Sequence, residues 1–162
     1  IKAHLYNPQF VIFTTVFVAI IILIVEKMKP KAEVKSLDEI TYQDAFLIGI
    51  GQCFALFPGV SRSGATMLTA MSRKFDTKTA ADFSFLISVP VISAATLYEL
   101  LKSFHEFHTN QFIMLLIGLM TSFVVAIIAI KTFLTILKKL GLVPFAYYRI
   151  VFGIAYYLLK LH

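Results

Sequence analysis

Long apolar runs alternate with short polar stretches along this sequence. A membrane-spanning helix needs about 20 mainly apolar residues, and runs of this length are too long for strands. We therefore predict four membrane-spanning helices, and Pro90 predicts a kink in the second of them. Their expected bounds are residues 9–27, 82–101, 111–137 and 145–161.

The stretch at residues 42–73 has a different pattern. Thr41 and Asp44 have the spacing of a capping box, and the apolar run after them predicts a helix. The sequence FPGVSRSG at residues 57–64 breaks that helix, and a second short apolar run follows. Neither half is long enough to cross a bilayer, and lysine-rich stretches lie at both ends. We predict a re-entrant helical hairpin with an unwound tip. A second capping box, Thr79 to Asp82, would open the next helix.

The composition changes the class of protein that has to be considered. Hydrophobic residues make up 59% of the chain, charged residues 15%, and the mean hydropathy is +0.83. Soluble domains carry about 25% charged residues, and one of this size could not bury so much apolar surface. The single cysteine excludes a disulfide scaffold. We predict an all-α integral membrane protein whose single domain covers residues 1–162.

The distribution of charge predicts an orientation in the membrane. The net charge is +6, and ten of the fifteen lysines and arginines lie in the polar stretches at 26–41, 73–78 and 131–141. Basic loops remain on the cytoplasmic side, so these three are expected to be cytoplasmic and loop 102–110 to lie outside. A nucleic-acid-binding protein would spread its basic residues over one face, and we expect no nucleic-acid partner.

The predicted tip of the hairpin carries the residues suited to binding an anion. An arginine at membrane depth is costly and rarely without function, and glycines let backbone N–H groups turn toward a ligand. A helix that restarts near residue 64 would direct its positive end to the same place. We therefore assign Arg62 and Ser61 as candidate catalytic residues. The candidate substrate-binding residues are Gly59, Ser63, Gly64, Thr66 and Gln52.

Well-known phosphate-binding motifs do not fit this tip. Gly59 and Gly64 have the spacing of a P-loop, but Ala65 stands where that motif requires lysine. Cys53 is too far from Arg62 for the cysteine-phosphatase spacing, and Leu68 stands where an acid-phosphatase signature would place histidine. An ATPase and these two phosphatase classes are therefore excluded.

The hairpin resembles the second signature of the undecaprenyl-diphosphate phosphatase family, the bacitracin-resistance family. The similar positions are Asp44-Ala45, Gly49, Gln52, Ala55, PGVSRSGAT at 58–66, Phe83-Ser84-Phe85-Leu86, Pro90 and Tyr148-Arg149-Ile150. The resemblance implies hydrolysis of undecaprenyl diphosphate to undecaprenyl phosphate and inorganic phosphate, which recycles the peptidoglycan lipid carrier and confers bacitracin resistance. It also implies a multi-pass protein of the bacterial inner membrane, built as an inverted repeat with one hairpin in each half.

The family's N-terminal signature, with its glutamates and a Ser-Ser-Thr-Gly-His run, does not occur in this sequence. The sequence does not begin with methionine, and we recognise no signal peptide. We expect the chain to match the C-terminal part of a family member, to need the N-terminal half as its partner, and to be inactive alone. The resemblance implies magnesium or calcium as cofactor, for which we identify no ligands in this chain. The nucleophile and the formation of a homo-oligomer stay open.

Other interpretations of the same residues stay open. Broken helices in inverted repeats are typical of secondary transporters, so a polyprenyl-phosphate translocase is the alternative function. Arg62 could form a structural ion pair, and Gln52 and Thr66 could tie the hairpin together. Asp44 and Asp82 are interpreted as helix caps rather than metal ligands. Arg149 is left out of the core site, because an arginine in a short terminal span can reach the membrane surface or pair with a neighbour.

Overall fold

The computed structural model describes residues 7–28, 31–103 and 109–160, with no side-chain description for 109–112 and 160. Within those ranges the chain forms α-helices joined by short turns. They are α1 (Pro8–Met28), α2 (Tyr42–Cys53), α3 (Arg62–Ser72), α4 (Thr77–Ser103), α5 (Thr109–Leu140) and α6 (Val143–Lys160). Short 3₁₀ turns lie at Leu37–Glu39 and Phe54–Leu56.

The apolar runs do form helices, and most of their surface is exposed. Three helical stretches of the described chain are long and apolar enough to cross a membrane: Pro8–Met28, Thr77–Ser103 and Ile113–Leu140. Val143–Leu159 is apolar but shorter, so a fourth crossing stays a prediction. Soluble proteins rarely expose so many apolar side chains to water. The protein is therefore an all-α integral membrane protein. Helix α4 continues through Pro90.

Helices α1 and α6, which lie far apart in sequence, pack side by side. Gly153 of α6 allows the close approach, because a Cβ at this position would collide with the Val16 side chain of α1. Gly141 ends α5 in the left-handed conformation, with φ +65°, and its N–H donates to the Leu137 carbonyl at 2.9 Å. The chain turns at Gly141, and α6 begins two residues later at Val143.

Helices α2 and α3 form a closely packed helical hairpin. That the hairpin at 42–73 is re-entrant in a membrane stays a prediction. A Cβ at Gly51 of α2 would collide with Thr69 of α3, so glycine sets the short distance between the two helices. The largest fully buried side chains of the described protein lie in this hairpin: Ile48, Met67, Met71 and Thr66. The hairpin is therefore the centre of the core, and α1 and α4 pack against it.

The polar segment after α1 is attached to the turn that follows α3. The Glu33 and Val34 N–H groups both approach the Lys74 carbonyl, at 2.9 and 3.2 Å, and the Asp76 N–H donates to the Val34 carbonyl at 2.9 Å. Lys74 adopts φ +65°, and its ammonium pairs with the Glu33 carboxylate. This attachment holds the base of the hairpin, far along the chain from its tip.

The two predicted capping boxes had different outcomes. The first is confirmed: the Thr41 hydroxyl accepts from the Asp44 N–H at 3.1 Å, and the Asp44 carboxylate accepts from the Thr41 N–H at 3.3 Å. The second is wrong, because α4 begins at Thr77 and the Asp76 carboxylate accepts from the Thr79 N–H at 2.5 Å. Asp76, three residues before Thr79, accepts from a backbone N–H at the start of α4 that would otherwise have no partner. A capping box between Thr79 and Asp82 is therefore not needed.

Asp44 should make the stability of the hairpin depend on pH. The hydrogen bond from the Thr41 hydroxyl, followed by that from the Arg73 guanidinium, lowers the pKa of Asp44 below its ordinary 3.8 despite burial. A lowered pKa contributes stability that is present above the unfolded-state value and is lost as pH falls through the folded-state value. We expect Asp44→Asn to lower the free energy of unfolding by about 1–2 kcal/mol near neutral pH.

The measurement is the thermal midpoint in detergent as a function of pH. The difference between the wild type and Asp44→Asn should shrink below about pH 4, where the wild-type carboxylate becomes protonated. Asp38→Asn is the matched control, because Asp38 is exposed on the preceding turn. A difference that is constant from neutral to acidic pH would contradict an electrostatic role for Asp44.

Candidate functional site

The tip of the hairpin contains a tight turn at Phe57-Pro58-Gly59-Val60. The Val60 N–H donates to the Phe57 carbonyl at 3.1 Å, and Gly59 has φ +89°. Proline at the second position and a residue with positive φ at the third are typical of a type II turn. A Cβ at Gly59 would also collide with the Thr14 hydroxyl and the Val11 carbonyl of α1. Glycine is required here for both conformation and space.

Donors from α1 and α6 hold the backbone carbonyls of this turn. The Thr14 hydroxyl approaches the Pro58 carbonyl at 2.6 Å, and the Arg149 guanidinium donates through Nη2 to the Gly59 carbonyl at 2.5 Å. Arg149 also donates through Nε to the Thr15 carbonyl of α1, at 3.3 Å. The tip is therefore attached to α1 and α6 through its own backbone oxygens.

Ser61 and Ser63 begin the second helix of the hairpin. The Ser61 hydroxyl caps α3 by accepting from the Gly64 N–H at 3.1 Å, and it lies 3.1 Å from the Ser63 hydroxyl. Capping uses one lone pair of Ser61 and leaves its proton available. Its predicted catalytic role and the substrate-binding roles of Ser63 and Gly64 stay predictions, because none of these contacts tests them.

Arg62 occupies the first position of α3, next to the positive end of the helix dipole. Its guanidinium donates through Nη2 to the Ser88 hydroxyl of α4 at 3.0 Å. The Ser88 hydroxyl in turn donates a hydrogen bond to the Ser84 carbonyl at 2.7 Å. No ion pair recorded among the described residues includes Arg62. A cation beside a positive helix end, held by a neutral hydroxyl, is an unbalanced positive charge.

A cavity of about 850 Å³ lies beside Arg62, between the hairpin and helices α4 and α5. Arg62, Ser63, Ser88 and Asp82 contribute polar groups to its wall. The remaining wall is mainly apolar and comes from Leu37, Phe85, Leu86, Val89, Ile92, Ile130 and Leu134, with Ser93 as a further polar residue. The cavity therefore has the Arg62 guanidinium at one part of its wall and a mainly apolar surface elsewhere.

The structure keeps Gln52 and Thr66 out of this cavity wall. Thr66 is fully buried; its hydroxyl lies 3.1 Å from the Gln52 side-chain oxygen and 2.9 Å from the Arg62 carbonyl. The bond to Gln52 ties α2 to α3, which was the alternative interpretation of both residues, whereas the bond to the Arg62 carbonyl lies within α3. The predicted substrate-binding roles of Gln52 and Thr66 stay predictions.

The described residues at this site do not fit a divalent cation. Calcium takes six to eight oxygen ligands from the protein and water, and magnesium takes six, usually one or two carboxylates together with waters and substrate phosphates. Among the described ranges, no group of three or more histidine, cysteine, aspartate and glutamate side chains lies close enough to hold a metal. Asp82 is the carboxylate in the wall of the cavity, and the Lys78 ammonium lies 3.8 Å from it.

Two residues that the structure brings to the tip were not predicted from the sequence as part of the site. Ser88 contacts Arg62, and its only signal was a hydroxyl four residues after Ser84 in an apolar helix. Arg149 was considered and left out, yet its guanidinium donates to the Gly59 carbonyl of the hairpin tip. Both contacts join residues distant in sequence, and periodicity carries no information about such pairs.

Comparison with known proteins gives a consistent result along almost the whole chain. Residues 1–155 match the family described as "Bacitracin resistance protein BacA". "Undecaprenyl-diphosphatase 1" of Bacillus cereus is 44% identical over 161 residues, which are 99% of this chain and 61% of that protein. "Undecaprenyl-diphosphatase" of Neisseria meningitidis serogroup C is 44% identical over 163 residues, 99% of this chain and 60% of that protein.

The chain thus spans about three fifths of the length of the curated relatives it matches. The family match covers the hairpin, its unwound tip, and the helices that hold the tip. It exceeds half of the chain by a wide margin, and the resemblance first noted on the PGVSRSGAT residues is confirmed. This chain belongs to the BacA family of bacitracin resistance proteins.

Proposed function

We propose that this chain forms the phosphate-binding part of an enzyme that hydrolyses undecaprenyl diphosphate to undecaprenyl phosphate and inorganic phosphate. The observation that carries the proposal is Arg62: an arginine at a helix N-terminus, without a carboxylate partner among the described residues, in the wall of a largely apolar cavity. The names of the curated relatives support the same substrate.

The electrostatics of the tip suit a diphosphate. A guanidinium can grip two phosphate oxygens in a fork, and a helix N-terminus presents free N–H groups to an anion. Both act at the start of α3, so their effects add at one position. The Ser63 hydroxyl lies in the wall of the same cavity and can donate a further hydrogen bond.

The walls of the cavity suit a lipid attached to that diphosphate. Aromatic and aliphatic side chains of α4 and α5 line it beyond the polar end, including Phe85, Val89 and Leu134. An isoprenoid chain leaves water on entering such a surface, at about 25 cal/mol per Å² of buried apolar area. We propose that the headgroup lies at Arg62 and that the lipid chain extends between α4 and α5.

In the proposed reaction a water or hydroxyl oxygen attacks the terminal phosphorus and the bridging P–O bond breaks. Inorganic phosphate leaves, directly or after hydrolysis of a phosphoenzyme, and the lipid monophosphate keeps the bridging oxygen. Phosphoryl transfer depends chiefly on positioning and charge stabilisation, which Arg62 can supply to the equatorial oxygens. The resemblance assigns acid–base chemistry and cation binding to the glutamates of the N-terminal signature, and a magnesium or calcium ion there would neutralise further phosphate charge.

The same proposal includes the setting of the enzyme. Long apolar helices support a multi-pass protein of the bacterial inner membrane, with the basic stretches at 73–78 and 131–141 in the cytoplasm. The hairpin at 42–73 would then enter and leave the bilayer on one side. Its partner would be the N-terminal half of the same fold.

Phosphate release from a polyprenyl diphosphate tests the proposal. The protein that contains this chain, in detergent and then in vesicles, should release inorganic phosphate, whereas residues 1–162 alone should release none. Movement of a labelled polyprenyl phosphate between leaflets without phosphate release would instead support the translocase. Turnover by residues 1–162 alone would contradict the assigned division of roles.

A further inference from the structure

We infer that Arg149 is a positioning residue of the proposed phosphatase: it holds the backbone of the hairpin tip in the conformation that presents Arg62 to the lipid diphosphate. Arg149 lies in α6, remote in sequence from the hairpin. Its guanidinium nevertheless donates to the Gly59 carbonyl at 2.5 Å and the Thr15 carbonyl at 3.3 Å. The inference rests on the proposed function for its kinetic consequence only.

The partners of Arg149 are unusual for an arginine in an apolar helix. Its recorded hydrogen bonds go to two backbone carbonyls, and no ion pair among the described residues includes it. A charged side chain in such a helix is costly, and simple packing could be achieved by leucine or methionine. The fork geometry of the guanidinium suits two carbonyls that come from different elements.

Holding these carbonyls has an electrostatic consequence at the site. A backbone carbonyl oxygen carries partial negative charge and would repel a phosphate if the turn rotated it toward Arg62. Arg149 and Thr14 draw the Gly59 and Pro58 carbonyls toward α6 and α1. The N–H groups at the start of α3 and the Arg62 side chain then face the anion without a competing oxygen.

The two cavities beside the tip support different roles for Arg149 and Arg62. A cavity of about 310 Å³ is lined by Arg149, Gly59 and Ser61, whereas Arg62 and Ser63 line the larger cavity of about 850 Å³. The Ser61 and Ser63 hydroxyls, 3.1 Å apart, lie between the two sets of residues. Two neighbouring hydroxyls of the tip therefore line different cavities, one with Arg149 and the other with Arg62. We infer that Arg149 fixes the tip backbone from the side that Arg62 does not line.

Removal of Arg149 should loosen the turn without removing a group that touches phosphate. We expect Arg149→Ala to raise hydrogen exchange at the Val60 amide, the donor of the turn, by about tenfold or more. The value of kcat should fall by about 10²-fold, since small misplacements of a charge-stabilising group have effects of this size. Arg149→Lys, which keeps the charge but can reach fewer carbonyls, should show smaller changes in both quantities.

Guanidinium rescue separates positioning from a general loss of stability. Guanidinium ion added below its unfolding concentration should restore part of kcat and of the Val60 protection in Arg149→Ala, but neither in Arg149→Lys. Gly153→Ala is the matched control: it strains the contact of α6 with Val16 of α1 without changing a residue that bonds to the tip. It should lower the thermal midpoint without changing Val60 exchange or kcat per folded molecule.

The outcomes distinguish this inference from the proposed function. Wild-type exchange at Val60 in Arg149→Ala would overturn the inference, as would raised exchange with unchanged kcat in an active enzyme. If the wild-type protein releases no phosphate, the proposed function fails, and the exchange measurement still decides whether Arg149 holds the tip. If Arg149→Ala does not fold, Arg149→Lys decides: wild-type exchange and kcat in that variant would overturn the inference.

Discussion

Arg62→Ala is expected to lower kcat for phosphate release by about 10³-fold or more. Arg62 supplies a positive charge at the N-terminus of α3, where its guanidinium donates to the Ser88 hydroxyl. Loss of a single preorganised donor lowers kcat by about 10²–10³-fold, and loss of an arginine that stabilises a transferring phosphoryl group by about 10³–10⁵-fold. The measurement is inorganic phosphate released from a polyprenyl diphosphate by the protein containing this chain.

Two comparisons make the Arg62 result interpretable. Arg62→Lys keeps the charge but not the two-oxygen fork, and we expect it to recover only a minor part of the activity. Lys102→Ala, near the exposed end of α4, removes an equal charge far along that helix from Ser88 and should leave kcat unchanged. If Arg62→Ala releases phosphate at the wild-type rate while folding normally, the assignment of the site is wrong.

Gly59→Ala is expected to disrupt the tip more than any other single methyl addition in the hairpin. The backbone at residue 59 has φ +89°, which alanine rarely adopts, and the added Cβ would collide with Thr14 and the Val11 carbonyl. Backbone strain and overpacking each amount to about 1–3 kcal/mol. We expect the free energy of unfolding to fall by about 2–4 kcal/mol, or the turn to open with loss of phosphate release.

The control for Gly59→Ala is Gly118→Ala in α5. A Cβ at Gly118 meets no atom within 4 Å, and alanine is favoured over glycine in a helix by about 1 kcal/mol. This variant should be as stable as the wild type or more so, and equally active. Thermal midpoints in detergent and exchange at the Val60 amide measure both variants. Equal stability of Gly59→Ala and the wild type would contradict the left-handed turn.

Local sequence was sufficient to predict the elements of the hairpin. Thr41 and Asp44 form their capping box through bonds between neighbours, and a proline followed by glycine at 58–59 forms the turn that breaks the helix. Both depend on chemistry within four residues, which the sequence displays directly. The prediction failed at the start of α4 for a local reason as well: Asp76, three residues before the predicted cap Thr79, caps the helix instead.

Local sequence was insufficient to divide the tip residues by role. Thr66 and Gln52 stand in the same motif as Arg62, but their side chains pair with each other inside the hairpin. The motif contains residues of the cavity wall and residues of the hairpin interior, and its sequence alone does not distinguish the two groups. Burial depends on which helix packs on which face, and that follows from close approaches such as Gly51 against Thr69.

By itself the sequence determined that the protein lies in a membrane, and it predicted a broken helical hairpin between the long helices and an anion site at the arginine-serine-glycine tip. These conclusions follow from the lengths of apolar runs and from bonds between near neighbours. Only the tertiary structure decided that Ser88 holds Arg62 and that Arg149 holds the Gly59 carbonyl. Such contacts join helices remote in sequence, and the packing of the whole chain determines which side chains meet.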